Sequence, residues 1–108
     1  MKTLAKVNSA KPTVDIIVVT YNNGQIAQNC LKSLLTNTGE PFRLILVNNG
    51  DENIVVKHRD SVVIKMSKNE GWMGGVNAGI KWSLENSESP FICFMNDDTQ
   101  ILDTDYGW

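Results

Sequence analysis

The chain has 108 residues, enough for one small domain with a single modest core. Hydrophobic residues make up 42% and charged residues 20%, an ordinary globular composition that excludes a disordered tail. The net charge is -2 and the pI about 5.2, and Lys and Arg are scattered, so the basic stripe of a nucleic-acid binder is missing.

No apolar run reaches the length of a membrane-spanning helix. The opening Met1-Lys2-Thr3-Leu4-Ala5-Lys6 has charge but lacks the apolar stretch of a secretory signal. A soluble, cytoplasmic protein is expected, with any membrane attachment peripheral. Cys30 and Cys93 form no CxxC and read as small buried hydrophobes. His58, within Lys57-His58-Arg59-Asp60, reads as a solvated loop or helix-end residue.

Residues 1–13 form a polar lead-in, and the pattern changes at Val14. Asp15 to Thr20 is a short β-branched run, predicted as a strand buried on both faces. Asn22-Asn23-Gly24 breaks it, and a helix is expected from about Gln25 to Thr36. There Ile26, Ala27, Cys30, Leu31, Leu34 and Leu35 recur as one apolar stripe. Gly39 and Pro41 close that segment, Phe42 to Val47 gives a second strand, and Asn48 to Asp51 a turn. Val62 to Met66 reads as a third strand, followed by a glycine-rich loop over Asn69 to Gly75. A second helix is expected from about Val76 to Asn86, with Ala78, Ile80, Trp82 and Leu84 as apolar candidates. Pro90 then introduces a fourth strand, Phe91 to Met95, which runs into Asn96-Asp97-Asp98.

Strands alternating with helices imply an α/β domain with a parallel sheet. Ligands of such sheets bind outside the carboxyl ends of the strands. The loops Thr20 to Gly24, Asn48 to Asp51, Lys68 to Gly75 and Asn96 to Thr99 converge on that edge.

The chemistry available there is specific. Asp97 and Asp98 are adjacent carboxylates that repel each other and attract a cation; Mg2+ and Mn2+ prefer such oxygen ligands and complete their shells with phosphate. Judged alone, the pair equally reads as a turn or helix cap. The Tyr21 ring suits the face of a nucleobase, or the edge of the core. The Asn48 amide both donates and accepts, as reading a base requires, although the following Asn49-Gly50 also fits a plain turn. Gly71, Gly74, Gly75 and Gly79 surround Asn77 and allow close approach of a backbone or a phosphate. The spacing matches neither GxGxxG nor a Walker loop. Trp72 and Met73 fit either a lid or a fold back onto the core.

The ordered series VDIIVVTYNN, NCLKSLL, RLILVNNGD, NEGWMGGVNAGI and FICFMNDDT resembles the family 2 glycosyltransferases of GT-A fold, from about Val14 to Ile101. The resemblance implies a Rossmann-like nucleotide-sugar-binding half, a mostly parallel four-stranded sheet of order 3-2-1-4 flanked by helices. Its domain spans 14–102, with 103–108 a truncated tail. Thr20 and Tyr21 match the segment lining the nucleoside. Asn48 stands where many members carry a base-reading Asp. Asn69, Gly71 and Asn77 match the loop and helix start that close over the donor. Asn96-Asp97-Asp98 matches the Asp-x-Asp motif, with Asp98 the metal ligand and Asn96 replacing the first acid.

The function so implied is inverting transfer of a sugar from a UDP-, GDP- or dTDP-linked donor, held through Mg2+ or Mn2+, to a hydroxyl of a glycan or lipid-linked glycan. No general base is assigned, because Asp103 and Asp105 follow the motif too closely. The competing expectations are a non-catalytic nucleotide-binding module or truncated fragment and, further off, a nucleotidyltransferase. In the resembled fold later strands pair beside the fourth. Without them Phe91 to Met95 is an apolar edge, so a homo-oligomer through that edge is expected.

Overall fold

Val14–Thr20 forms the first strand, β1, and all its residues are buried, Asp15 included. The computed structural model describes residues 11–22, 24–37 and 41–97. Residues 1–10 of the expected lead-in and all of the expected tail lie outside them. After β1 come helix α1 (Gly24–Asn37), strands β2 (Phe42–Asn48) and β3 (Ser61–Lys65), helix α2 (Gly71–Asn86) and strand β4 (Phe91–Asn96).

The sheet order is β3-β2-β1-β4, as the resemblance implies, and the three pairings are all parallel. Register places Ile17 opposite Ile45 and Phe94, so odd residues of β1 share a face with odd residues of β2 and even residues of β4. One face carries Val14, Ile16, Val18, Leu44 and Leu46 and is covered by Cys30, Leu31 and Leu34 of α1. The other carries Ile17, Val19, Ile45 and Val47 and is covered by α2 through Val76. This two-sided burial explains why β1 and β2 read as continuous apolar runs.

The stripe on α1 is narrower than the periodicity indicates. Ala27, Cys30, Leu31 and Leu34 are buried, whereas Ile26 and Leu35 are exposed at its margins. Cys30 is buried and Cys93 half-buried, and burial pushes the Cys93 thiol up, which keeps it protonated at neutral pH. His58 is half-buried. Its ring stacks on Phe42 at 4.4 Å, and its Nε2 lies 2.9 Å from the Phe42 carbonyl oxygen.

The largest departure is in α2, which begins at Gly71 and not at Val76. Gly75 and Gly79 serve helix packing. A Cβ at Gly75 would stand 2.6 Å from Val19 Cγ1, and one at Gly79 would stand 2.6 Å from Ile17 Cγ2. Glycine costs about 1 kcal/mol of helix propensity at each position. Forcing a methyl group into a filled core costs about 1–3 kcal/mol. Close packing therefore wins, and the buried face of α2 is Gly75, Val76, Gly79 and Ser83. Of the expected apolar candidates Ala78, Ile80 and Trp82 flank this face, and Leu84 points to solvent.

Asp15 is fully buried inside an otherwise apolar strand. Ser83 of α2 donates to its Oδ2 at 2.6 Å, and Arg43 Nη1 lies 3.7 Å from its Oδ1. The same guanidinium donates to Ser87 Oγ at 2.8 Å and lies over the Trp82 ring. A buried ion pair contributes little net stability, but removing one partner strands the other charge. Arg43→Met is expected to lower unfolding free energy by about 3 kcal/mol in urea titration, the low end for a broken buried pair because Arg43 keeps some contact with water.

Candidate functional site at the switch point of the sheet

Every described strand ends on the same edge, at Thr20, Asn48, Lys65 and Asn96. From β1 the chain moves outward through β2 to β3, then crosses back to place β4 on the other side of β1. The switch point is therefore the gap between the ends of β1 and β4. Open α/β sheets bind ligands at such crevices.

A cleft lies there, lined by Val19, Thr20, Tyr21, Asn49, Asn69, Gly71, Trp72 and Asp97. Thr20 Oγ1 donates to Asp97 Oδ2 at 3.0 Å, tying the β1 end to the residue after β4. Tyr21 and Trp72 are 51% and 40% exposed. Trp72 meets Phe94 of β4 edge-on, with ring centroids 5.8 Å apart. It therefore forms a wall of the cleft from the first turn of α2. The opening N–H groups of a helix lack intrahelical acceptors and carry positive partial charge. Asp97 is the one charged residue among the described residues lining the cleft, and none of them is basic.

A larger depression of about 540 Å³ lies elsewhere, lined by Lys11, Arg43, Glu88 and Pro90, against about 240 Å³ for the cleft. Size does not decide between them. Arg43 is committed to Asp15, Ser87 and Trp82, and Lys11 and Glu88 are highly exposed surface side chains.

The loops behind the cleft are cross-linked by amides. Asn22 adopts φ 50, which Asn tolerates better than most residues, and its Oδ1 accepts from Asp51 N at 2.8 Å. Gly24 N, at the start of α1, donates to Glu52 Oε1 at 2.8 Å. Lys65 Nζ donates to the Gly50 carbonyl. Asn48 is 2% exposed; its Nδ2 donates to Glu52 O at 2.6 Å and its Oδ1 accepts from Gly50 N at 2.9 Å. Its amide thus folds the loop on which it stands, and it does not line the cleft.

Of the other residues singled out by sequence, Thr20, Tyr21, Asn69, Gly71 and Asp97 come together in the cleft. Asn69 Oδ1 accepts from Gly71 N at 2.8 Å, closing the turn into α2, where Gly71 has φ +77. Asn77 is exposed on the second turn of α2, and Asn96 is exposed at the end of β4; neither lines the cleft. Asp98 lies outside the described residues. No group of three or more His, Cys, Asp or Glu side chains is arranged to hold a metal among the described residues. Asn49 and Glu52 escaped the reading of the sequence. The signal for Asn49 was its position as a polar residue directly after a buried strand.

Strand order and switch-point cleft define an α/β domain of the Rossmann-like class. The sequence model of Glycosyl transferase family 2 matches residues 15–106, and the chain belongs to that family. An uncharacterized glycosyltransferase of Bacillus subtilis, YwdF, is 34% identical over 73 residues, covering 63% of this chain and 27% of its own length. The uncharacterized protein MT1568 of Mycobacterium tuberculosis is 26% identical over 102 residues, 92% of this chain and 32% of its own. Among solved structures, the mannosyltransferase PcManGT of Pyrobaculum calidifontis, in complex with GDP-Man and Mn2+, superimposes with a TM-score of 0.66 at 15% identity. That match covers 90% of this chain and 30% of PcManGT. Residues 1–349 of S. aureus TarS give 0.60 at 19% identity, over 86% and 29%. The structural matches establish the GT-A-like fold. The chain spans about a third or less of the length of these relatives.

The glycine that lets the loops meet gives a direct check. A Cβ at Gly50 would stand 2.7 Å from Asn22 N. Gly50→Ala is expected to destabilise the fold by about 1–3 kcal/mol and to speed hydrogen exchange at the Asp51 amide, which NMR exchange would read.

Proposed function

We propose that the chain binds a nucleoside diphosphate sugar in the β1/β4 cleft, together with a divalent cation, and supplies the donor side of an inverting glycosyl transfer. One observation carries this reading: the cleft sits at the switch point of the sheet and contains a carboxylate but no basic side chain among its described lining. A diphosphate brought beside Asp97 meets like charge, so a cation must bridge them. Oxygen donors are present for a hard ion, in the Asp97 carboxylate and the Thr20 hydroxyl. Mg2+ usually takes one or two carboxylates and completes its shell with phosphate and water, which fits the adjacent acids Asp97 and Asp98, with Asp98 as the direct ligand. When bound, such a cation neutralises charge on a departing nucleoside diphosphate as a Lewis acid.

The residues divide the work by chemistry. Tyr21 stacks on the base, a contact that tolerates any nucleobase. Asn48 shapes the nucleoside end through the loop its amide folds. Asn69 and Gly71 bring the first turn of α2 to the diphosphate, where its N–H groups favour negative charge. Asn77 and Asn96, exposed on α2 and at the end of β4, touch the donor only where it extends beyond the cleft lining. In the transfer itself a hydroxyl of a glycan or lipid-linked glycan attacks the anomeric carbon, its proton passes to a base, and the diphosphate leaves with the bonding electrons.

Calorimetry with UDP, GDP and dTDP, with and without Mn2+, tests the reading. Metal-dependent binding of at least one nucleotide is expected, weakened tenfold or more in Asp97→Asn. Absence of binding to all of them with metal present would sink it.

We propose also that a second copy of this chain pairs along β4. Phe91, Ile92 and Phe94 are exposed there, and the strand carries no charged residue to discourage edge pairing. Sedimentation velocity is expected to show concentration-dependent association, reduced in Phe91→Lys. A monodisperse monomer at high concentration is the contrary result.

A further inference from the structure

Asn49 follows β2 directly and is 5% exposed, yet its side chain reaches the cleft. Its backbone N–H donates to the Thr20 carbonyl at 2.8 Å, which pins it to the end of β1. Its side-chain amide spans to the next element. Nδ2 donates to Gly71 O at 3.0 Å, and Oδ1 accepts from Glu70 N at 3.3 Å. The residue thus links the end of β1 to the two residues that open α2.

This link has no obvious substitute. Glu70, at the N-cap position of α2, makes no side-chain capping bond. The helix backbone lies directly against Asn49, since a Cβ at Gly75 would stand 3.2 Å from Nδ2. A side chain of this length must both donate and accept to satisfy the two peptide groups, and among the common residues only asparagine does so without a charge.

We propose that Asn49 is the positioning residue of the cleft. By holding Glu70 and Gly71 against the end of β1, it sets where Gly71 and Trp72 stand relative to Thr20, Tyr21 and Asp97, and so sets nucleotide affinity. The inference rests on the reading of the cleft as a donor site, but the position of Trp72 can be measured without any ligand.

The chain is labelled with 5-fluorotryptophan, and the Trp72 19F resonance is assigned by its loss in Trp72→Phe. Asn49→Leu removes both hydrogen bonds at similar volume. Asn49→Ala removes them while leaving space, in case the leucine variant fails to fold. Arg43→Met serves as a control that weakens the fold at the opposite end of the sheet. Spectra without ligand and titrations with UDP, GDP and dTDP in Mn2+ are compared at a temperature where every variant used is folded. The expected result is a displaced Trp72 resonance and at least tenfold weaker nucleotide binding in the Asn49 variants, with both within twofold or unmoved in Arg43→Met. An unmoved Trp72 resonance in the Asn49 variants, unchanged affinity, or an equal loss in Arg43→Met overturns the proposal. If the unsubstituted chain binds no nucleotide, the donor-site reading fails, and the Trp72 resonance alone decides whether Asn49 positions the turn.

Discussion

The approach of α2 to β1 is the constraint on which the rest of the structure depends. It is set where the backbone of Gly75 meets Val19 and that of Gly79 meets Ile17, with no room for a Cβ at either contact. Because the helix lies this close, its first turn arrives beside the end of β1 and level with the residue after β4. Raising α2 by the thickness of a methyl group would open the cleft wall that Trp72 forms. The pair of glycines one turn apart thus sets the wall of the cleft although neither lines it.

The two ends of the sheet are built on different principles. At the amino end, the charge of Asp15 is buried and answered by Ser83 and Arg43, an arrangement that fixes the register of α2 over the strands. At the carboxyl end, amides do much of the joining beside Glu52 and Lys65: Asn22 and Asn49 accept from a backbone N–H of another turn, and Asn48 and Asn69 from one two residues on in their own turn. An amide satisfies peptide groups without bringing charge. Asp97 is the one charged residue among the described lining of the cleft.

The β4 strand shows how the same fold carries an unfinished face. Cys93 and Met95 pack on the α1 side, while Ile92 and Phe94 stay largely uncovered on the other, because α2 lies mainly over β1 and β2. Trp72 touches Phe94 at the border between this open face and the cleft.

The residues alone determined the element order, the parallel α/β class and the family. Those depend on local patterning: continuous apolar runs for strands buried on both sides, a helical stripe at Ala27, Cys30, Leu31 and Leu34, and motifs at fixed spacing. Thr20, Tyr21, Asn69, Gly71 and Asp97 were legible as one group because parallel strands must end on one edge. Tertiary structure decided the rest. Gly74 and Gly75 read as loop when only propensity is considered, yet both lie in the helix, where Gly75 packs on Val19 and, a turn further on, Gly79 packs on Ile17, contacts that outweigh the propensity penalty. Likewise, whether an amide such as that of Asn48 or Asn49 faces a ligand or a peptide group depends on which backbone atoms lie within 3 Å or so of it. The Asn48 partners lie in its own loop, whereas those of Asn49 come from a separate turn that meets it only when the sheet and its helices have packed, and no pattern along the chain encodes that distance.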